Sequence, residues 1–186
     1  PVKRREHPFK LEELIRRRRS RRRRQGIRGP FPHMSPQRLQ ELSAVLGSAW
    51  GLSSQELAHL QRACALAKSD LVTTMVKEFP TLQGVMGMHY ARNQGEPREV
   101  AEAIGEHYLP LAGKSPKTLI GSALALLDKY DTLVSYFAIG IEPTGDQDPF
   151  GLRRCAQGIV EIAWAMRKPL PVGALSAGSA AATQLV

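Results

Sequence analysis

Aromatic side chains make up only 6% of this 186-residue chain, and cysteine occurs twice. Cys64 and Cys155 stand far apart, each on an apolar helical face. The sequence therefore carries no paired-cysteine metal spacing and no disulfide framework, and both residues are expected as buried thiols in a reducing, cytoplasmic setting. No apolar run approaches the ~18 residues that a bilayer-spanning helix needs. The basic N-terminus has no apolar segment behind it, which argues against a secretory signal; an Arg-rich organelle-targeting segment stays open as an alternative, although the arginines are denser than such a segment favours. Also missing are a GxSxG elbow, a GxxxxGK[ST] loop and a cysteine with a sequence-suggested histidine partner, so neither nucleophilic catalysis nor a phosphate loop is expected. No alternating β-branched pattern argues for strands.

What is present is charge, unevenly placed. The formal net charge is +9 and the pI about 10. Residues 1–30 hold 13 of the 26 Lys+Arg and three of the 17 Asp+Glu, leaving 13 basic and 14 acidic residues in the remainder. Positions 35 onward are thus close to neutral, and any nucleic-acid surface there must be a local patch. The block "RRRRSRRRR" reads either as a nucleic-acid-binding or nuclear-localisation-like arm or as a solvated tail. Residues 1–34, ending in the breaker-rich "QGIRGPFPHM", are expected as a disordered arm and linker.

From Ser35 the pattern is helical, and the class is all-α. Ser35-Pro36 opens a helix with Leu39, Leu42, Leu46 and Trp50 on one stripe, closed by Gly51. Ser53-x-x-Glu56 is a capping box. It starts a long predicted helix whose stripe runs Leu57, Leu60, Cys64, Ala67, Leu71 and Met75 until Pro80 stops it. Pro97 starts a helix with Val100, Ile104 and Tyr108 on one face. Residues 118–140 form the most apolar helix, expected at the centre. The stretch from Pro149 on follows, with Leu152, Cys155, Ile159, Ile162 and Met166 inward. The domain is placed at 35–168, and residues 169–186 read as a low-complexity tail, helical or frayed.

Three features carry chemistry. Asp128 and Asp131, three residues apart on the apolar helix, need partners there; Lys129 and Arg153 or Arg154 are the candidates for an ion pair, and a metal or phosphate role is the alternative. Asp148-Pro149 is a helix start, an Asx side chain capping free N–H groups and proline suiting the first helical position. Yet Arg153 and Arg154 follow at the positive end of the helix dipole, where acids are preferred. They pair either with Asp146 or Asp148, or with a phosphate. Finally, His89 and His107 each precede a tyrosine. A metal-dependent phosphohydrolase of the HD type needs an adjacent His-Asp pair, and none occurs. Near the expected position the chain reads "AKSDL", where the Lys68 ammonium repels a cation. A residual metal site of His89, His107, Asp70 and Asp131 is the weaker alternative.

The blocks "LAKSDLVTTMVKEFPTLQGVMGMHYA" (66–91), "GEPREVAEAIGEHYLP" (95–110) and "LLDKYDTLVSYFAIGIEPTGDQDPFGLRR" (126–154) resemble the bacterial glycyl-tRNA synthetase β subunit, in its HD-like region, over roughly residues 37–168. The resemblance implies an α2β2 class II ligase in which the α subunit, using ATP and Mg, charges glycine tRNA while β binds the tRNA. This chain is then expected to need no cofactor of its own and to engage no membrane. The resemblance also implies a degenerate HD-like helical domain that positions the tRNA without catalysing the reaction. Lys68, Lys114, Lys117, Arg153 and Arg154 are the expected phosphate contacts, with Asp70, Asp128, Asp131 and Asp148 structural. Tyr130 and Ser135 depart from the family's usual "DKLDTLVG". The family's β subunit is much longer, so the chain is expected to be a fragment or a reduced relative, one whose other use is as a subunit-docking piece.

Overall fold

The computed structural model describes Glu13, residues 36–145 and residues 147–183 of the chain. The arginine block and the linker within 1–34, Glu13 apart, and the expected cap Ser35 lie outside the described residues, as does Asp146. Eight α-helices follow among them: α1 (Pro36–Trp50), α2 (Ser54–Leu66), α3 (Thr74–Glu78), α4 (Val85–Asn93), α5 (Arg98–Glu106), α6 (Leu119–Ala138), α7 (Leu152–Met166) and α8 (Val172–Thr183). Short 3₁₀ turns occupy Ser69–Val72 and Pro80–Leu82. The described residues include no strand, so the all-α class is what the structure shows.

The apolar stripes explain the packing. Helix α6 lies at the centre, against α7, α5, α1, α2 and α8. Leu124, Leu126 and Leu127 of α6 meet Leu39, Leu42 and Leu46 of α1, Leu60 and Cys64 of α2, Val100 and Ile104 of α5, and Ile159 and Ile162 of α7 in one core. Local signals set the helix starts. The predicted capping box forms, with Ser53 accepting from the Glu56 N–H and Glu56 accepting from the Ser53 N–H. The Thr118 and Thr73 hydroxyls cap α6 and α3 by accepting from the Gly121 and Val76 N–H groups.

Two helix bounds are corrected. The long helix expected from Ser53 to Phe79 stops at Leu66. Lys68 adopts a left-handed conformation (φ 59°), and the chain continues as a 3₁₀ turn and the short α3. The break buries Asp70, whose Oδ2 accepts from the Gly84 N–H at 2.6 Å, and it turns Lys68 towards α6. A continuous helix could not place both charges. Beyond the break, Leu71 and Met75 are exposed rather than inward.

The start of α7 also shifts. Residues Asp148–Gly151 make a turn closed by the Gly151 N–H and the Asp148 carbonyl (3.1 Å), and the helix begins at Leu152 rather than Pro149. Gly151 takes φ 68°, a conformation that a side chain would strain. Cys155 and Met166 are half-buried, at the margin of the core and not inside it.

The segment after residue 168, read as helical or frayed, is helical over Val172–Thr183 and packs against α1 and α6. Leu175 of α8 is buried in the same core as α1 and α6. The Trp50 indole N–H donates to the Pro169 carbonyl (3.0 Å) and the Lys168 ammonium donates to the Trp50 carbonyl (2.6 Å). The Tyr130 hydroxyl reaches Ser176 Oγ at 2.6 Å and the Val172 carbonyl at 3.2 Å. Described residues on either side of position 168 therefore share one core.

Candidate nucleic-acid interface

The charged residues of α6 are matched from elsewhere in the chain. Asp128 accepts from the Lys68 ammonium at 2.6 Å. Asp131, with no exposed side-chain surface, is held by the Arg38 guanidinium, which also donates to Ser135 Oγ. The partners are thus Lys68 and Arg38; they are not Lys129, Arg153 or Arg154 as the spacing suggested. Burial pushes the Asp131 carboxyl up, and the Arg38 hydrogen bonds and charge work against that. Lys129 turns away from both aspartates and donates to the backbone carbonyls of Leu109 and His107. Burial pulls its ammonium down, opposed chiefly by the Asp128 charge.

His107 stands beside this group, fully buried. Its Nδ1–H donates to the Ile104 carbonyl at 2.6 Å, which fixes the tautomer and leaves Nε2 buried without a hydrogen bond. Burial, opposed by the Asp128 charge, lowers its pKa to about 4. The ring is neutral at pH 7. Asp70 is pushed up by burial while the Gly84 and Gly87 N–H groups pull it down. Among the described residues, no group of three or more His, Cys, Asp or Glu side chains is arranged to hold a metal ion. The set His89, His107, Asp70 and Asp131 is not gathered: His89 is exposed on α4 and Asp131 is paired with Arg38.

The remaining predicted cations lie outside. Lys114 and Lys117 are exposed in the loop between α5 and α6. A tight turn orders that loop, the Leu111 and Lys114 backbones exchanging hydrogen bonds of 2.9 and 3.0 Å. The loop abuts α7. A Cβ at Gly158 would lie 2.9 Å from the Lys129 stem and 3.3 Å from Pro110 Cδ, so only glycine allows this approach. Arg153 and Arg154 are exposed on the first turn of α7. The Asp148 carboxylate accepts from the Leu152 N–H (2.7 Å) and the Arg153 N–H (3.0 Å). Partial desolvation raises the Asp148 carboxyl, but these two N–H groups, with the Arg153 and Arg154 charges, bring it below its ordinary value. The anion at this helix end is therefore the protein's own. Arg153 donates to the Gly145 carbonyl at 3.2 Å, and the Arg154 guanidinium folds over Gly151. Neither forms an ion pair with a described carboxylate, and the same holds for Lys114 and Lys117. Lys68, expected among the phosphate contacts, is the exception: its side chain is 18% exposed and its charge is committed to Asp128.

Two residues that matter here escaped the sequence reading. Nothing in the periodicity of α1 distinguishes Arg38, whose partner lies 93 positions away. Trp164, 85% exposed on α7, was legible in principle, because the stripe assigned to the core leaves it on the opposite face.

A family model described as the glycyl-tRNA synthetase beta subunit matches residues 35–185. The chain belongs to that family. The glycine–tRNA ligase beta subunit of Trichodesmium erythraeum is 47% identical over 135 residues, covering 72% of this chain and 19% of that protein. That of Shouchella clausii is 53% identical over 135 residues (72% and 20%). That of Bacillus subtilis is 54% identical over 108 residues (57% and 16%). The chain thus spans about a fifth of the length of the curated beta subunits it matches. The family match extends to residue 185, through α8, in agreement with the packing of that helix. No helix among the described residues is long and apolar enough to cross a membrane.

Proposed function

We propose that this chain is a tRNA-positioning part of a glycine–tRNA ligase β subunit, non-catalytic in itself, which serves glycyl-tRNA formation by a partner α subunit. In this reading ATP and Mg act on the α subunit, the assembly is the cytoplasmic α2β2 class II ligase, and the helical domain is a degenerate HD-like one. The observation that carries the tRNA role is the pairing pattern. In a domain whose buried Asp128 and Asp131 are ion-paired, Lys114, Lys117, Arg153 and Arg154 stay exposed and without ion pairs among the described residues. They also lie on two elements that meet at Gly158. Such cations hold phosphates and set register without reading bases. Lys68 drops out of this set and becomes a structural residue.

The test is a salt-series titration of the full chain with glycine tRNA and a non-cognate tRNA. Replacing Lys114 and Lys117 by Gln and Arg153 and Arg154 by Ala should weaken binding and flatten the salt slope by up to about 0.9 for each phosphate no longer neutralised. Unchanged affinity and slope would remove the domain from the tRNA surface and leave binding to the arginine block.

A second reading, docking onto another protein surface of the ligase, is favoured by the exposed Leu71, Met75 and Phe79. They recur every four residues on the segment where the expected long helix breaks.

A further inference from the structure

Helix α7 presents a second feature on its solvent side. At 100° per residue, Arg153, Gln157, Val160 and Trp164 fall within an arc of roughly 60°, opposite the core residues Leu152, Ile159 and Ile162, and Arg167 follows just past the helix end as its left-handed C-cap (φ 50°). All five are exposed, Trp164 at 85% and Val160 at 59%. Trp164 and Arg167 line a shallow groove with Val160, Ala163, Lys168 and Leu170. The carboxylate bordering the face, Glu161, accepts from Gln157 Nε2 at 2.6 Å. Lys168 donates to the Trp50 carbonyl and Arg153 to the Gly145 carbonyl, and the cations of the face, with Arg167, form no ion pair among the described residues. Arg153 and Trp164 stand about 16 Å apart along the axis.

An exposed indole between two arginines that form no ion pair among the described residues fits a polyanion that offers flat rings. Bases supply the π-face and the backbone supplies the charge. A purely apolar partner would leave both guanidinium groups without a match, and a duplex would offer the indole no open base.

We infer that this face of α7 is a stacking platform for an unpaired stretch of RNA. Trp164 carries a base, and Arg167 and Arg153 take the flanking phosphates. The inference deepens the tRNA reading and rests on it, adding an unpaired segment to the phosphates assigned to the loop and the first turn of α7.

The chain has two tryptophans, and Trp50 is buried, which makes Trp164 the solvent-exposed fluorophore. The full chain is titrated with a short single-stranded RNA and with a blunt RNA hairpin duplex. Single-stranded RNA should quench the exposed emission. Trp164→Ala should weaken its binding roughly 5- to 100-fold, Trp164→Phe should restore most of the affinity, and duplex binding should not change. Arg167→Gln should lower the single-strand salt slope by about 0.7. Equal single-strand affinity for wild type and Trp164→Ala overturns the inference. So does a Trp164→Ala effect confined to self-association, which would make the face a protein contact. In either case the joint Lys114→Gln and Lys117→Gln variant, which leaves the platform intact, decides the tRNA reading separately: if that variant loses tRNA binding, the reading stands without the platform.

Discussion

Helices α6 and α7 lie against each other and treat charge in opposite ways. On α6 the carboxylates of Asp128 and Asp131 and the Lys129 ammonium are buried and satisfied, by Lys68, by Arg38 and by backbone carbonyls. On α7 the arginines are exposed and form no ion pair among the described residues. Charges inside a fold are committed before any ligand arrives, since an unpaired buried ion costs several kcal/mol. Charges outside are free to meet one. The tempting acidic pair of the central helix is therefore architecture, and the plain basic turn beside it is where function is to be sought.

The comparison breaks most visibly at Arg38. Arg38→Ala would leave Asp131 buried without its counter-charge and should cost about 3–5 kcal/mol in urea unfolding. A loss below about 1 kcal/mol would mean the buried charges are not tightly matched. Next comes pH. The folded-state pKa of His107, about 4, lies below the ordinary histidine value near 6.5. Above pH 6.5 neither state binds the proton. As pH falls from there towards 4 only the unfolded chain takes it up, so stability should drop by roughly 3 kcal/mol. Asp70 and Asp131 act the other way, because carboxyls raised by burial regain stability as they protonate. The His107→Gln difference from wild type isolates the histidine, and a pH-independent difference would refute the assignment. Lys68→Met should cost about 2 kcal/mol by orphaning Asp128. In a double-mutant cycle with Asp128→Asn, the two losses should fail to add. Smallest is the joint Arg153→Ala and Arg154→Ala change, expected within about 0.5 kcal/mol of wild-type stability. Its tRNA salt slope should nevertheless flatten by up to about 1.8. A large stability loss there would erase the contrast between the two helices.

Much of this was legible in sequence, for identifiable reasons. Helix class, the Ser53–Glu56 box, the stripes of α1 and α5 and the central place of the apolar α6 follow from local sequence, which the fold obeys. The break after Leu66 was not seen, because the stripe Leu57–Met75 continues in register through it. Only the polar run Lys68-Ser69-Asp70 hinted at an interruption. Ion-pair partners were misassigned because proximity in sequence favoured Lys129, whereas the matches came from 60 and 93 positions away. At α7, Asp148 was recognised as a capping residue, but not that it would cap from outside the helix across a four-residue turn.

The Lys129 side chain has a further consequence. Rooted in the central helix, it grips the carbonyls at the entry to the basic loop, and its stem runs beneath Gly158 of α7. One buried strut thus sets the gauge between two sets of surface cations. A ligand with rigidly spaced phosphates would find that spacing already cut to length, and the interface could be detuned from within the core without altering a single exposed atom.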